Sequence, residues 1–391
     1  MREEAGGEVI ASVRALLCAV LLGVVGPVGG CIELVGQPEP PESPAPPGGP
    51  RLSDGFTLHW MTTTDDGEVK RGFNWSERFE FGGLPVRRDA VVLYEHWFAD
   101  DVREKGFGMT RESGYRDRLR ARLRECLDKR VPARDFGGMI CIDIEFACPW
   151  WGDRTNGPGL SPKIAHGTKY YDEWEKYIER SEGSLISGRH GAERERALGT
   201  SYESAVRAWF TMVVESLRDL RPAAKLAFYG IPNGSRHDSD YVGTKGEGVR
   251  ALNDRARWMV ELTDCVMLPL YQDKVIVRGL ERQSTPREIT EAQGRAFIET
   301  NITEAKRLAG EKPVYVLASL MYPDYIKDYL PDSAGKPLNA ENLDAMLRMP
   351  KRYGAAGLIF WTHFDSAETF RSLQREFSTR ARPVLEQVVD R

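Results

Sequence analysis

Short apolar runs recur along the chain, and amphipathic stretches separate most of them. Seven runs have the length and composition of buried strands, and they cover residues 56–61, 90–94, 138–145, 225–230, 265–270, 314–320 and 356–361. Strand followed by helix, repeated in this way, predicts parallel strands joined by right-handed crossovers. The expected fold class is therefore α/β, a distorted TIM-type (β/α) barrel with about seven parallel strands. An open doubly wound sheet is the alternative, but no glycine-rich phosphate-binding fingerprint follows the first run.

Helical periodicity fills most of the intervals between these runs. The best stripe extends from Tyr202 to Leu220, and further helices are predicted over 115–127, 249–260, 343–352 and after a cap at Ser366. Capping-box spacing at Thr285 predicts another helix that continues to about Leu308. Between residues 152 and 200 the chain is polar and glycine-rich, with one short helical piece around 170–178. Such a stretch is typical of a functional loop or a disordered insert.

The N-terminal segment has the pattern of a bacterial lipoprotein leader. An apolar run from Ala15 to Val25 follows arginines, is too short to span a bilayer comfortably and has signal-peptide proportions. The sequence VGGC at 28–31 resembles a lipobox, which implies cleavage before Cys31 and a lipid on its sulfur. Ile32, rather than aspartate, favours the outer membrane. The protein is expected to be exported and lipid-anchored there, facing the periplasm or the cell surface, although a secretory signal with a chance cysteine is the alternative.

The remaining chain divides into a tether and a domain. Residues 37–50, QPEPPESPAPPGGP, are too proline-rich to form a packed core and are typical of an extended spacer. We therefore predict a signal peptide over 1–30 that is removed, a lipid-anchored proline-rich linker over 31–50, and a barrel domain over 51–391.

Composition and charge limit the classes of partner and cofactor that the chain is expected to bind. The 391-residue chain has a formal net charge of −4, which gives no reason to expect nucleic-acid binding. The four cysteines of the barrel domain are too few for a disulfide framework. The chain has no CxxC or HExxH pattern, so we predict no metal site and no cofactor. Cys141 is expected to face the barrel interior as a small apolar residue.

The run over 138–145 holds the strongest candidate chemistry. A strand alternates its side chains between two faces, so the three isoleucines share one face and Met139, Cys141, Asp143 and Glu145 share the other. Two carboxylates thus project together from the C-terminal end of a buried strand, which is where barrel enzymes carry their active sites. Burying a charged side chain costs free energy unless the charge is paired or takes part in the protein's function. From the residues alone, an ion pair or a helix N-cap is an equal alternative.

Aromatic and polar residues also collect at the ends of the other runs. They are Trp60, Glu95, His96, Trp97, Trp150, Trp151, Tyr229, Tyr271, Asp273, Tyr322, Trp361 and His363. Sugars present flat C–H faces that pack on rings and hydroxyls that need polar partners, so an aromatic cleft around paired carboxylates suits glycoside hydrolysis. Any single ring is more often part of the core, and the indication comes from the collection.

Three stretches of the sequence carry a family resemblance. IDIE occupies 142–145, the segment 207–232 holds RAW, LRP and FYGIP in that order, and YGAAGLIFW occupies 353–361. They resemble, in this order, a D-x-E strand, a helix with the following F-Y-G-F-P strand, and a G-A-A-G strand that ends in tryptophan. These are features of the hyaluronidases, glycoside hydrolases with a distorted barrel. Order and spacing agree as well, and the similarity extends from about Phe56 to Val388.

The resemblance implies a mechanism with named roles. Glu145 would be the general acid/base, and Asp143 would hold the substrate's acetamido group so that its carbonyl oxygen attacks the anomeric carbon. This substrate-assisted route is an exception to the usual two-carboxylate scheme. Tyr229, Tyr271 and Trp361 would line the acetamido pocket and the subsite. Further substrate contacts are expected from other strand-end residues, namely Trp150, Trp151, Glu95, His96 and Asp273.

The prediction is therefore a retaining endo-glycoside hydrolase of N-acetylhexosamine-containing polysaccharide, hyaluronan- or chondroitin-like. Glu145 is followed by FACPWW and lacks the family's arginine at this place, so the sugar and the linkage stay open. A non-catalytic glycan-binding lipoprotein on the same barrel is the main alternative. A metal-dependent hydrolase that uses Glu95, His96 and His363 is a weaker one.

Overall fold

The architecture comes from a computed structural model, which describes residues 55–62, 78–144, 149–151, 167–232, 243–271, 275–276, 287–288, 290–322, 332, 335–361 and 367–389. All of them belong to one compact unit, Leu52–Arg391. Several predicted features lie outside the described residues, namely the leader and tether with Cys31, Glu145, Cys148, Asp273, Thr285, His363 and Ser366. The predictions at these positions stay predictions.

Among the described residues, seven parallel strands form one sheet that curves into a nearly closed barrel. They are β1 (Thr57–Thr62), β2 (Val86–Tyr94), β3 (Met139–Asp143), β4 (Lys225–Phe228), β5 (Val266–Pro269), β8 (Val314–Ala318) and β9 (Gly357–Phe360). Their order in the sheet is β4-β3-β2-β1-β9-β8-β5. A parallel bridge between Tyr229 and Met267 joins β4 to β5 at the remaining gap. The prediction of a TIM-type barrel is confirmed, and an open sheet is excluded. A short antiparallel pair, β6 (Val275–Ile276) with β7 (Arg287–Glu288), lies outside it.

Alternation along the strands builds two separate hydrophobic cores. Met139 and Cys141 of β3 are buried inside the barrel, where they belong to one cluster with inward residues of the other strands. Ile140, Ile142 and Ile144 belong instead to the larger cluster between the barrel and its helices. The predicted division of β3 into two faces, with Cys141 inside, is therefore confirmed for the described residues.

Helices cover the outside of the barrel. They are α1 (Asp100–Lys105), α2 (Tyr115–Arg130), α3 (Gly167–Ser181), α4 (Gly191–Leu220), α5 (Gly243–Arg255), α6 (Arg257–Leu262), α7 (Glu291–Ala309), α8 (Ala340–Arg352), α9 (Ala367–Glu376) and α10 (Arg382–Val388). A π-helical turn, Phe377–Ala381, joins the last two. In the part of the chain that the structure describes, no helix has both the length and the apolar content needed to cross a bilayer.

The polar stretch before α4 is more helical than predicted. The short helix predicted around 170–178 is confirmed within α3. The interpretation of the stretch as a loop or disordered insert is wrong for the rest of α3 and for the first part of α4, residues 191–200. The reason is burial of a few large side chains. Tyr170, Tyr171, Trp174 and Ile178 of α3 are each no more than 3% exposed. Their helical spacing packs one face against the rest of the outer core, although the overall composition is polar.

The start of α7 also differs from the prediction. Thr290 is its N-cap, because the Thr290 hydroxyl accepts a hydrogen bond of 3.2 Å from the Gln293 N–H. The Gln293 side chain in turn accepts from the Thr290 N–H at 3.0 Å, which completes a capping box. Arg287 and Glu288 lie in β7, so the helix predicted to begin at Thr285 begins later. Two Thr-x-x-Glu/Gln motifs compete here, and the second one caps the helix.

A buried histidine connects the first two strands. His59 of β1 is 3% exposed, its Nδ1 lies 2.7 Å from Asp89 Oδ1, and its Nε2 lies 2.9 Å from Thr57 Oγ1. Burial acts to raise the pKa of Asp89, but the hydrogen bond and charge of His59, with the charge of Arg87, outweigh burial. The pKa of Asp89 is consequently lowered from its ordinary value.

We expect Asp89→Asn to destabilise the protein near neutral pH and to matter less in acid. A carboxyl group whose pKa falls on folding stabilises the fold above its unfolded pKa, and this stabilisation disappears as pH falls through the folded pKa. Urea unfolding of both proteins should therefore give a difference in midpoint that is largest near neutral pH and shrinks below about pH 4. A difference that grew on acidification would contradict this role of Asp89.

Candidate active site

The carboxyl end of the barrel carries a ring of aromatic and acidic side chains. Five of them continue the inward-facing positions of their strands above the inner core, and they are Tyr94, Asp143, Tyr229, Tyr271 and Trp361. Because the strands are parallel, these positions meet at the same end of the barrel. The sequence predictions at Asp143, Tyr229, Tyr271 and Trp361 thus fall on one mouth.

Asp143 lies between two tyrosines in this mouth. In the β2–β3 ladder Tyr94 is the register partner of Asp143. On the other side, the Tyr229 N–H donates to the Ile142 carbonyl at 2.9 Å, which continues the β4–β3 pairing to the level of Asp143. Asp143 is 8% exposed. A carboxyl group so largely removed from water interacts more strongly with a ligand dipole than one on the surface.

Tyr271 lies across the mouth from β2. Its ring packs on Trp361, with ring centroids 5.4 Å apart and planes at 35°. Burial raises the pKa of Tyr271 well above its ordinary value, and the neighbouring Tyr229, Cys141 and Asp143 raise it further. Part of this effect comes from a side-chain hydrogen bond with Tyr229. The Tyr271 hydroxyl therefore stays neutral near physiological pH and is able to donate a hydrogen bond.

The floor of the mouth is a buried thiol. Cys141 lies one inward position below Asp143 on β3 and is fully buried. Burial raises the pKa of the Cys141 thiol well above its ordinary value, and the charge of Asp143 and the nearby Cys265 act in the same direction. Both Cys141 and Cys265 are free thiols. With so high a pKa, Cys141 is a packing residue and not a nucleophile.

Glu95 and His96 follow β2 directly in a short 3₁₀ turn, Glu95–Trp97. His96 is exposed, and its ring stacks on Tyr94 with centroids 5.6 Å apart and planes at 17°. Burial raises the pKa of Tyr170 in α3 to about 12, and the negative charge of Glu95 adds to this rise. Glu95 is therefore near enough to α3 to act on Tyr170, and His96 lies beside Tyr94 at the mouth. The predicted substrate contacts of Glu95 and His96 stay predictions.

Trp150 and Trp151 contact the helices around the barrel. Trp150 is 2% exposed and belongs to the outer core, and its predicted substrate contact stays a prediction. The Trp151 ring lies 4.7 Å from Tyr171 and 5.4 Å from Tyr202, measured between centroids. The cause is the adjacent α3–α4 pair, which supplies aromatic partners that the sequence had not placed next to these tryptophans.

Sequence reasoning missed one residue of the mouth, Tyr94. The signal was present, because Ala90 and Val92 are the inward residues of β2 and the next inward position is Tyr94. The alternation that selected Asp143 on β3 would have selected Tyr94 as well.

The sequence of this chain is similar to the sequences of known proteins. No protein-family model matches the chain. The chain is 24% identical over 256 residues to Hyaluronidase-1 of Homo sapiens and 24% identical over 251 residues to Hyaluronidase-1 of Sus scrofa. Each alignment covers 62% of this chain and 50% of the relative, so the chain spans about half the length of these curated relatives.

The crystal structure of bee venom hyaluronidase matches 84% of this chain and 99% of its own, with a TM-score of 0.60 at 17% identity. This chain has the hyaluronidase fold. A second structure, bee venom hyaluronidase in complex with a hyaluronic acid tetramer, matches 85% of this chain with a TM-score of 0.59 at 16% identity. The resemblance predicted from three short motifs is thus confirmed as similarity to hyaluronidases in both sequence and fold.

Proposed function

We propose that this protein is a retaining endo-glycoside hydrolase that cleaves polysaccharide containing N-acetylhexosamine, hyaluronan- or chondroitin-like. The observation that carries the proposal is Asp143, a carboxyl group in the mouth of a hyaluronidase-fold barrel, between Tyr94 and Tyr229. Glu145 follows two residues later in the sequence, as the D-x-E motif requires. Relatives named hyaluronidases and a homologous structure with a hyaluronic acid tetramer support the same substrate class.

In the proposed reaction the substrate supplies its own nucleophile. Asp143 accepts a hydrogen bond from the acetamido N–H and orients the amide, so that its carbonyl oxygen forms a bond to the anomeric carbon. Glu145, protonated, gives its proton to the glycosidic oxygen as the C–O bond breaks. Water then attacks the anomeric carbon and loses a proton to Glu145, and the ring formed by the acetamido group opens. Two displacements at one carbon retain the anomeric configuration.

The tyrosines and the tryptophan supply recognition rather than proton transfer. A neutral Tyr271 hydroxyl, hydrogen-bonded to Tyr229 beside Asp143, is suited to hold an amide group. The Trp361 ring, packed on Tyr271, offers an apolar face to the C–H side of a sugar. The fully buried Cys141 closes the floor, which keeps water from reaching the acetamido group from below.

A glycan panel tests the proposal directly. The full-length protein is incubated with hyaluronan, chondroitin and chitin-like oligomers, and the products are read by mass spectrometry. We expect shorter, saturated oligosaccharides with N-acetylhexosamine at the new reducing end, formed equally well in excess chelator. Tight glycan binding in isothermal titration without any product would favour the non-catalytic binder instead. Activity that chelator removed would favour the metal-dependent alternative.

We also propose that Cys31 carries the lipid that holds the protein at a membrane. The support is the VGGC sequence at 28–31 between a short apolar run and a proline-rich tether. Replacing Cys31 by serine removes the only sulfur at which the lipid would attach, so the variant should move from the membrane to the soluble fraction of an expressing bacterium. Matched amounts of wild type and Cys31→Ser in the membrane fraction would contradict the anchor.

A further inference from the structure

Helix α4 contains a glycine at a buried position where alanine would form a better helix. A Cβ atom built on Gly199 would lie 2.8 Å from Cγ and Cδ1 of Trp151, closer than carbon atoms approach without displacement. Here the missing side chain lets the indole of Trp151 lie directly against the helix backbone.

Two glutamates on the same face of α4 hold Trp151 at its polar atoms. Glu195, Gly199 and Glu203 are four residues apart and so share one face of the helix. The Trp151 backbone N–H donates to Glu203 Oε1 at 2.8 Å. The Trp151 indole N–H donates to Glu195 Oε2 at 3.2 Å. One stripe of α4 thus binds the ring, the indole nitrogen and the main chain of a single residue.

Helices α3 and α5 complete the arrangement. The Tyr171 hydroxyl of α3 donates to the Trp150 carbonyl at 2.8 Å. Arg255 of α5 donates to the same Glu203 Oε1 at 2.6 Å and so fixes the carboxylate that receives Trp151. We call Tyr171, Glu195, Gly199, Glu203 and Arg255 the tryptophan clamp. The clamp holds Trp150 and Trp151 by hydrogen bonds to main-chain as well as side-chain atoms. Two helices that only pack against each other do not need such bonds.

The clamp lies close in sequence to the proposed acid/base. The chain is fixed at Ile144, which is 6% exposed in the outer core, and again at Trp150 and Trp151. Glu145 occupies the first position after the first of these anchors. Trp150 and Trp151 are the next anchor along the sequence in the part of the chain that the structure describes.

Building on the proposed function, we infer that the tryptophan clamp positions Glu145 for proton transfer. The clamp residues touch neither the substrate nor the reacting atoms in this scheme, and they act through the main chain of Trp150 and Trp151. Misplacing a catalytic group by about 1 Å costs on the order of a hundredfold in rate. The device requires a glycine and two acidic residues at fixed spacing on α4, which is what the chain provides.

The first test exploits the glycine. Gly199→Ala favours the helix but drives a methyl group into the Trp151 ring, and Thr200→Ala, exposed on the next position, is the matched control. We expect Gly199→Ala to lower kcat roughly tenfold to a hundredfold while KM stays within about twofold. The control should leave both constants unchanged. A Gly199→Ala protein with the kcat of wild type would overturn the inference.

The second test exploits Glu203. Glu203→Gln keeps an oxygen that accepts from the Trp151 N–H, whereas Glu203→Ala removes it. Glu203→Ala should lower kcat roughly tenfold or more, and Glu203→Gln should restore most of it. The control is Glu215→Ala, which should behave as wild type. Glu215 lies on the same helix as Glu203 and forms an exposed ion pair with Arg116. Equal kcat values for the alanine and glutamine variants would overturn the inference.

Hydrogen exchange separates failure of the clamp from failure of the proposed function. Glu203→Ala should speed exchange in a peptide that contains the Trp151 amide roughly tenfold, while peptides from β3 exchange as in wild type. Wild type without turnover on any glycan would refute the proposed function, and unchanged Trp151 exchange would refute the clamp. Faster exchange with an unchanged kcat would leave the clamp as packing alone and would overturn its positioning role.

Discussion

Replacing Glu145 by glutamine should lower kcat on the cleaved polysaccharide by about 10²- to 10⁴-fold, because an amide cannot donate the proton that the leaving oxygen needs. KM should change little, since glutamine has nearly the size of glutamate and still forms hydrogen bonds. Initial rates of reducing-end formation measure the loss, and thermal unfolding of the same sample shows whether the fold is intact.

Glu311→Gln is the matched control for this result. Glu311 is exposed in the turn after α7, so its replacement makes the same chemical change away from the mouth. It should leave kcat and KM as in wild type. If Glu145→Gln kept wild-type activity on every glycan that wild type cleaves, Glu145 would not be the acid.

Replacing Asp143 by asparagine should lower kcat by about a hundredfold or more, with the protein still folded. The carboxylate stabilises the positive charge that develops on the acetamido nitrogen during attack, and a neutral amide supplies no such charge. Asp143 is 8% exposed, so its charge acts with little screening by water. Initial rates on the natural polysaccharide measure the effect, and Asp135→Asn, exposed before β3, is the control.

A de-N-acetylated substrate completes this prediction. Without the acetamido carbonyl there is no internal nucleophile, so wild type should cleave such a polymer far more slowly than the acetylated one. Asp143→Asn with the kcat of wild type, or equal cleavage of acetylated and de-N-acetylated polymer, would contradict the assigned role of Asp143.

The barrel was predictable because its strands are short, apolar and periodic. Successive side chains of a strand point to opposite faces, and alternation along β3 therefore separated Cys141 from Ile140 and Ile142 correctly. Cys141 is buried inside the barrel, and the two isoleucines are buried against the helices. The same rule brought Asp143 to the mouth. Strand patterns were therefore enough to predict Asp143 at this end of the barrel.

The helices around the barrel were less predictable because tertiary contacts stabilise them. The composition of 152–200 indicates a loop, but Trp174 and its aromatic neighbours on α3 are buried by contacts that no local pattern specifies. Contacts with Tyr171 of α3 and Tyr202 of α4 also hold Trp150 and Trp151, and the sequence pattern after β3 does not specify these contacts. At α7, two capping motifs lay close together, and local sequence did not distinguish Thr290 from Thr285.

Gly199 illustrates what sequence reasoning could not supply. A lone glycine within a polar, glycine-rich stretch carries no signal of its own, and its role appears only when Trp151 lies against it. The acidic residues at 195 and 203 are equally ordinary on the outer face of a helix. Their role depends on hydrogen bonds from Trp151 that the sequence does not specify.

Retention of configuration is the most direct test of the central claim that cleavage takes place by two displacements at the anomeric carbon. Proton NMR of the first product formed by wild type from a β-linked N-acetylhexosamine oligosaccharide reports the anomer before it equilibrates in water. The account predicts the β-anomer at the new reducing end, because two displacements occur at the anomeric carbon. Appearance of the α-anomer first would mean direct attack by water and would contradict the account.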